Sequence, residues 1–168
     1  KMILLIALAI GIALGIVRIV MRYLMHNNIL SVAEIERTSK ASILGMVPSL
    51  RKKDESTSII VAKRPKSMIS ESFRSIRTNL QFLSSQEGCK IMAITSTISG
   101  EGKTFIAVNL GASLSLMGKK VLIMDFDMRK PRVHQSFDVE NIRGLSDVLI
   151  NRLTLDECLN KFEYHPEK

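Results

Sequence analysis

Two short clusters carry the residue types that handle phosphate. Residues 96–104 read Ser-Thr-Ile-Ser-Gly-Glu-Gly-Lys-Thr. Gly102, Lys103 and Thr104 match the end of the phosphate-loop pattern G-x-x-x-x-G-K-[ST], and Thr97 stands at its first glycine position. The stretch is therefore a variant of that loop. Gly100 and Gly102 let backbone N–H groups converge on phosphate oxygens with no Cβ in the way. Lys103 would reach the β- and γ-phosphates of a nucleoside triphosphate, and the Thr104 hydroxyl would ligate Mg²⁺. Ser99, Glu101 and Phe105 are the remaining residues of this candidate nucleotide-binding stretch. The second cluster is Asp125, Asp127 and Arg129. A carboxylate there can hold the metal or its waters, or take a proton from an attacking hydroxyl. Arg129 adds a positive charge beside them.

These clusters need a scaffold that brings them to one place. Residues 91–96 and 121–124 are short apolar runs of the buried-strand type. Between them, residues 105–117 are apolar and helical in pattern, with Gly118 as a C-terminal stop. The dipole at the N-terminus of that helix adds to the phosphate site. A further helix is expected over residues 70–83, with Ser70 as its cap, Glu71 in its first turn and apolar Phe73, Ile76, Leu80 and Leu83 on one face. Strand, loop, helix and strand in this order open an α/β doubly wound parallel sheet, with a right-handed crossover. Ligands bind outside the carboxyl ends of such strands, so both clusters arrive at one edge.

The 168 residues carry a formal net charge of +8. Residues 2–17 are uncharged, and the whole run of residues 2–21 makes about 30 Å of helix, enough to cross a bilayer. A signal peptide would be shorter and would end at a small-residue cleavage site. This run ends in Arg18, Arg22 and Tyr23. Residues 18–66 hold ten Lys/Arg and four Asp/Glu, a local excess of six that accounts for most of the total. Basic flanks favour the cytoplasmic side and attract anionic lipid, so the charge reads as topology and membrane contact rather than as a nucleic-acid footprint. Gly11 and Gly15 form G-x-x-x-G, a spacing that lets membrane helices pack closely. Cys89 and Cys158 are too few for a disulfide framework and lack metal-site spacing.

The expected organisation is a transmembrane helix over residues 1–22, a basic juxtamembrane linker over 23–66 and a P-loop domain over 67–168. In the linker, residues 32–37 suit a short helix capped by Ser31, residues 43–48 a short strand ending at Pro48, and residues 51–58 a polar tract. The chain starts at Lys1 and stops at Lys168 without a closing feature, as a piece of a longer protein would.

Taken together, these motifs resemble the bacterial tyrosine kinases (BY-kinases) tied to polysaccharide co-polymerase, or chain-length determinant, proteins. Four features match in order. An apolar helix precedes a basic connector with Leu44, Gly45, Met46, Val47 and Pro48. Glu71, Arg74 and Arg77 match the family's E-x-x-R-x-x-R. Residues 96–104 resemble its Walker A, and residues 121–129 its Walker A′ ending in D-x-D-x-R. Gly144, Leu145 and Ser146 also look familial. Ser99 stands where many family members have proline.

The resemblance implies an inner-membrane autokinase that transfers phosphate from ATP, with Mg²⁺, to a tyrosine-rich tail of a neighbouring subunit. It implies a role in capsular or exopolysaccharide biosynthesis, and as partners the export and polymerisation machinery, membrane lipid and a tyrosine phosphatase. Lys103, Asp125 and Asp127 carry over as catalytic residues, with Thr104, Asp125 and Asp127 on the metal. Glu71, Arg74 and Arg77 carry over to the subunit interface of a ring-like homo-oligomer. Arginine suits such an interface through bidentate pairing with carboxylates. The family's Walker B strand, tyrosine cluster and periplasmic domain are not in residues 1–168.

Three other readings stay open. A MinD/ParA-type ATPase shares the fold, but usually has a lysine at the position of Ile98 and no membrane span. A non-catalytic co-polymerase scaffold would bind ATP to control assembly. A dinucleotide-binding oxidoreductase would need G-x-G-x-x-G, whereas Gly100-Glu101-Gly102 is followed by Lys103, Thr104 and Phe105.

Overall fold

The structure, a computed structural model, describes residues 2–24, 32–49, 59–83, 88–98 and 100–163. The chain divides into two compact units, Lys1–Ile43 and Leu44–Lys168.

The first unit holds α1, Met2–Leu24, and α2, Val32–Thr38. Leucine, isoleucine and alanine without a polar face make α1 apolar all round, and its span Met2–Tyr23 is long and apolar enough to cross a membrane. In α2, Glu34 lies in the first turn and Arg37 in the last, each opposite in sign to the helix dipole end beside it. Ser31, the expected cap, lies outside the described residues, as does the polar tract of residues 51–58.

The second unit is built on three helices: α3, Ile60–Lys63; α4, Met68–Leu83; and α5, Lys103–Ser115. Three short helices follow: α6, Val133–Ser136; α7, Leu145–Leu149; and α8, Leu155–Cys158. The apolar stripe of α4 buries Phe73 and Ile76 against Val61 of α3 and Leu110 of α5, with Leu44, Val47, Ile69 and Phe105 packed around them. On the other side of α5, Val108 and Ala112 meet Ile59, with Ala62, Val133 and Phe137 alongside. Phe73 is fully buried and stands edge-on to Phe105, ring centroids 5.9 Å apart. Burying a ring of that size contributes about 1.5–3 kcal/mol.

The expected start of α4 moves back by two residues, to Met68. Ser67, not Ser70, caps it: the Ser70 N–H donates to Ser67 Oγ at 3.2 Å. Ser70 is buried in the first turn, and its hydroxyl donates to the Arg64 carbonyl at 2.6 Å. Ile69 packs on the core, and that apolar contact draws the helix back to Met68. The end of α5 agrees better with expectation. The Gly118 N–H donates to the Ser115 carbonyl at 2.8 Å and closes the last turn.

The strand expectations stand differently. Among the described residues no segment forms a strand, whether over 43–48, 91–96 or 121–124. Parallel strands gain by pairing on both edges and burying both faces. Here Ile91 is 96% exposed and Leu122 56% exposed. Ile123, half-buried, and Val121, still 40% exposed, approach Gly111 of α5. A Cβ on Gly111 would lie 2.8 Å from Ile123 Cδ1 and 3.5 Å from Val121 Cγ1. The missing side chain is what lets the 121–123 segment lie against the helix.

Candidate phosphate site

The first cluster lies at the N-terminus of α5. Gly102 precedes the helix with φ +97° and Gly100 has φ +96°. An L-residue in that region costs about 1–2 kcal/mol, so glycine is required twice in three residues. The helix ladder begins with the Ile106 N–H donating to the Gly102 carbonyl at 2.9 Å. The amides before Ile106 in this first turn therefore have no acceptor within the helix. Lys103 and Thr104 occupy the turn and are half-buried. The free donors of this turn thus lie at the helix end whose dipole favours an anion, and Lys103 is the first residue of that helix.

The loop before the helix is folded on itself. The Thr97 and Ile98 N–H groups both donate to Glu101 Oε2, at 3.0 and 3.2 Å. Ser96 Oγ donates to the Ile98 carbonyl at 2.9 Å. Ser99 lies outside the described residues.

The second cluster is a turn organised by its own carboxylates. Asp125 Oδ1 accepts the Asp127 N–H at 3.0 Å. Asp125 Oδ2 accepts the N–H groups of Arg132 at 2.9 Å and Val133 at 3.1 Å. Asp125 therefore ties the turn to the start of α6. Asp127 Oδ1 accepts the Lys130 N–H at 3.0 Å. That bond holds the Asp127 carboxyl below its ordinary value; desolvation opposes it, and the Arg129 N–H and the positive charges of Lys103 and Arg129 add smaller effects in the lowering direction. Of the expected site residues, the structure thus brings Lys103, Asp127 and Arg129 into one electrostatic neighbourhood, whereas both oxygens of Asp125 already accept backbone amides.

Mg²⁺ prefers oxygen ligands and keeps several from water and substrate phosphate. The Thr104 hydroxyl and the Asp127 carboxylate are hard oxygen donors of that kind. Among the described residues no group of three or more His, Cys, Asp and Glu gathers for a metal. The donor set fits an ion held mainly by nucleotide and water, not one caged by protein.

The three charged residues expected at an interface separate into two environments. Arg74 Nη1 pairs with Glu71 Oε2 at 2.8 Å, on the exposed face of α4, and Arg74 Nη2 donates to the Pro65 carbonyl at 2.9 Å. Arg77 turns inward. Its Nη1 donates to the Ser113 carbonyl at 3.0 Å and to Ser113 Oγ at 3.2 Å, tying α4 to α5. Its Nε is buried without a hydrogen-bond partner among the described residues.

Sequence reasoning names Glu101 only as a member of the nucleotide-binding stretch and passes over Asn109, which is fully buried on α5, accepts the Val61 N–H at 3.1 Å through Oδ1 and donates to the Phe105 carbonyl at 3.0 Å through Nδ2. A single amide inside an otherwise apolar helix was the available signal.

Residues 92–153 match the CobQ/CobB/MinD/ParA nucleotide binding domain family. The chain is 43% identical over 101 residues to tyrosine-protein kinase YwqD of Bacillus subtilis (strain 168), covering 60% of this chain and 43% of that protein. It is 29% identical over 166 residues to tyrosine-protein kinase wzc of Salmonella typhi, covering 90% of this chain and 23% of that protein. The solved kinase domain of Escherichia coli tyrosine kinase ETK superposes with a TM-score of 0.68 at 26% identity, over 77% of this chain and 55% of that one. The chain spans less than half the length of these curated relatives.

Proposed function

We propose, from the premise that this chain is a relative of the bacterial tyrosine-protein kinases, that it supplies the membrane anchor and the ATP-binding part of a protein-tyrosine autokinase acting in capsular or exopolysaccharide synthesis. The observation that carries the reading is the glycine-punctuated loop, with Gly100 and Gly102 at positive φ, that ends in Lys103 at the head of α5.

The chemistry follows from charge and position. The first-turn amides of α5 and the Lys103 ammonium take the β- and γ-phosphate oxygens and offset the charge that builds as the γ-phosphoryl group leaves. Mg²⁺, when bound, neutralises further charge on the phosphates, and Thr104 and Asp127 are the residues to hold it. A tyrosine hydroxyl attacks the γ-phosphorus in line, the bond to the β-γ bridging oxygen breaks, and ADP departs. The phenolic proton passes to a carboxylate. Asp127, with one oxygen on the Lys130 amide, has capacity either for the metal or for that proton, whereas both oxygens of Asp125 serve three amides. Arg129 adds positive charge at the same edge.

In this reading α1 sits in the inner membrane, with the residues after it cytoplasmic and the basic stretch on anionic lipid. Residues 91–96 and 121–124 become strands of a doubly wound parallel sheet in the whole protein. Subunits assemble into a ring with Glu71 and Arg74 at the contact, alongside the polysaccharide machinery and a tyrosine phosphatase, and without nucleic acid.

Incubating the full-length protein with labelled ATP and Mg²⁺ tests this. Phosphotyrosine that disappears in Lys103→Met supports the kinase. Nucleotide binding without phosphotyrosine points instead to an ATP-binding scaffold.

A further inference from the structure

Glu101 sits inside the phosphate loop, where a carboxylate has no obvious place. Its charge has the same sign as the triphosphate, and its side chain is exposed rather than buried among partners. Its contacts are specific nonetheless. One oxygen, Oε2, accepts both the Thr97 and the Ile98 N–H groups. Those donors lie at the entrance of the loop, and Glu101 lies at its exit, directly before Gly102 and α5. The side chain therefore closes the loop into a ring, and does so next to two glycines held at positive φ.

Glycines in that conformation give up more backbone freedom on ordering than other residues. A loop with two of them needs something to hold its shape before ligand arrives, or each binding event must order it afresh. A side-chain oxygen that accepts two backbone amides across the loop supplies such a hold. The donors that Glu101 uses are also not those of the helix head. The first-turn amides of α5 and the Lys103 ammonium are left for phosphate, while the Thr97 and Ile98 amides are taken by the protein itself.

We propose that Glu101 is a positioning residue of the phosphate loop: by bracing the Thr97 and Ile98 amides with one carboxylate oxygen, it holds the loop in its phosphate-accepting shape before nucleotide binds. This rests on the phosphate-site reading above. The brace needs an acceptor oxygen and not a charge. Glutamine offers a carbonyl oxygen at the same reach and alanine offers nothing, and that contrast separates bracing from electrostatics.

The test uses the full-length protein in detergent, with two readouts. Hydrogen exchange without nucleotide reports the Thr97 and Ile98 amides: Glu101→Ala should speed their exchange about tenfold, and Glu101→Gln should recover most of the protection. Titration with ATP and Mg²⁺ reports affinity: Glu101→Ala should weaken binding about tenfold, and Glu101→Gln should recover most of it. Equal losses in the two variants would make the charge, not the brace, the active feature and overturn the proposal. So would unchanged exchange in Glu101→Ala, or tighter nucleotide binding by it. If the unaltered protein fails to bind nucleotide while the exchange pattern appears as expected, the phosphate-site reading fails and the brace within the loop survives.

Discussion

The Asp127 carboxylate is held below its usual range chiefly by the Lys130 N–H that it accepts at 3.0 Å, partly offset by desolvation, with smaller lowering effects from the Arg129 N–H and from the charges of Lys103 and Arg129. The sign gives a pH rule. A carboxyl with a depressed folded pKa adds stability that is fully present above its ordinary value of 3.8 and fades as pH falls through the lower folded value. Lys103→Met should move the Asp127 titration upward, toward 3.8. A ¹³C carboxyl titration of labelled protein checks this. An Asp127 curve indifferent to the lysine would show that its charge does not act on this carboxylate.

Asp125 does structural work that any activity measurement will mix with chemistry. Asp125→Ala removes the acceptor for three backbone amides and should lower stability by about 1 kcal/mol, as loss of a helix-capping carboxylate does. Asp125→Asn keeps acceptor oxygen and should recover at least half of that loss. Thermal unfolding of the two variants separates the effects. Equal melting temperatures for Asp125→Ala and the unaltered protein would show that the turn does not depend on these bonds.

Gly111 sets how closely the 121–123 segment approaches α5. In Gly111→Val the added methyls must displace Ile123 and Val121, an overpacking that costs about 1–3 kcal/mol. The displaced segment leads directly to Asp125 and Asp127, so nucleotide affinity should fall together with melting temperature. A variant that loses stability but binds nucleotide normally would uncouple this packing from the site.

Arg74 and Arg77 should behave differently even though they share a motif. Arg74 is exposed, with its side chain 45% accessible, and its pair with Glu71 is worth under about 1 kcal/mol. Arg74→Ala should lower the mass of the assembled protein in sedimentation and leave its melting temperature nearly unchanged. Arg77→Ala cuts the tie to Ser113 and should lower the melting temperature as well. Full-size assemblies of Arg74→Ala would remove this arginine from the proposed subunit contact.

The sequence made the long elements legible, for physical reasons. The period of Phe73, Ile76 and Leu80 located α4, and the apolar run closed by Gly118 located α5. The cap of α4 was misplaced because Ser67 and Ser70 are equally good caps by type, and only the packing of Ile69 decides between them. α3 was invisible because four residues carry no period. It is held by the burial of Ile60 and Val61 and by the Val61 N–H donating to Asn109, far away in the chain. The site residues were found by type and spacing. Their division of labour was not, because it lies in hydrogen bonds between backbone amides and carboxylates that leave no mark on composition. Glu101 and Asp125 are both cases of this. α8 is the exception: Thr154 and Glu157 sit at capping-box spacing, and the Thr154 N–H donates to Glu157 Oε2 at 2.8 Å, a signal that was present and unused.

Anyone wishing to separate the unit Leu44–Lys168 from the long apolar helix must choose where to cut, and the bond between Val61 and Asn109 narrows the choice. Scission after residue 66 would look natural by charge content. It would also carry away Ile59, Ile60 and Val61, three side chains almost wholly withdrawn from water, and take one amide donor from an asparagine in a dry interior. An acceptor deprived of its donor in such surroundings costs about 1–3 kcal/mol before the bared apolar surface is counted. The tether is in this sense part of the body it tethers, and a shortened protein that starts ahead of Leu44 should outlast one that starts at Ser67.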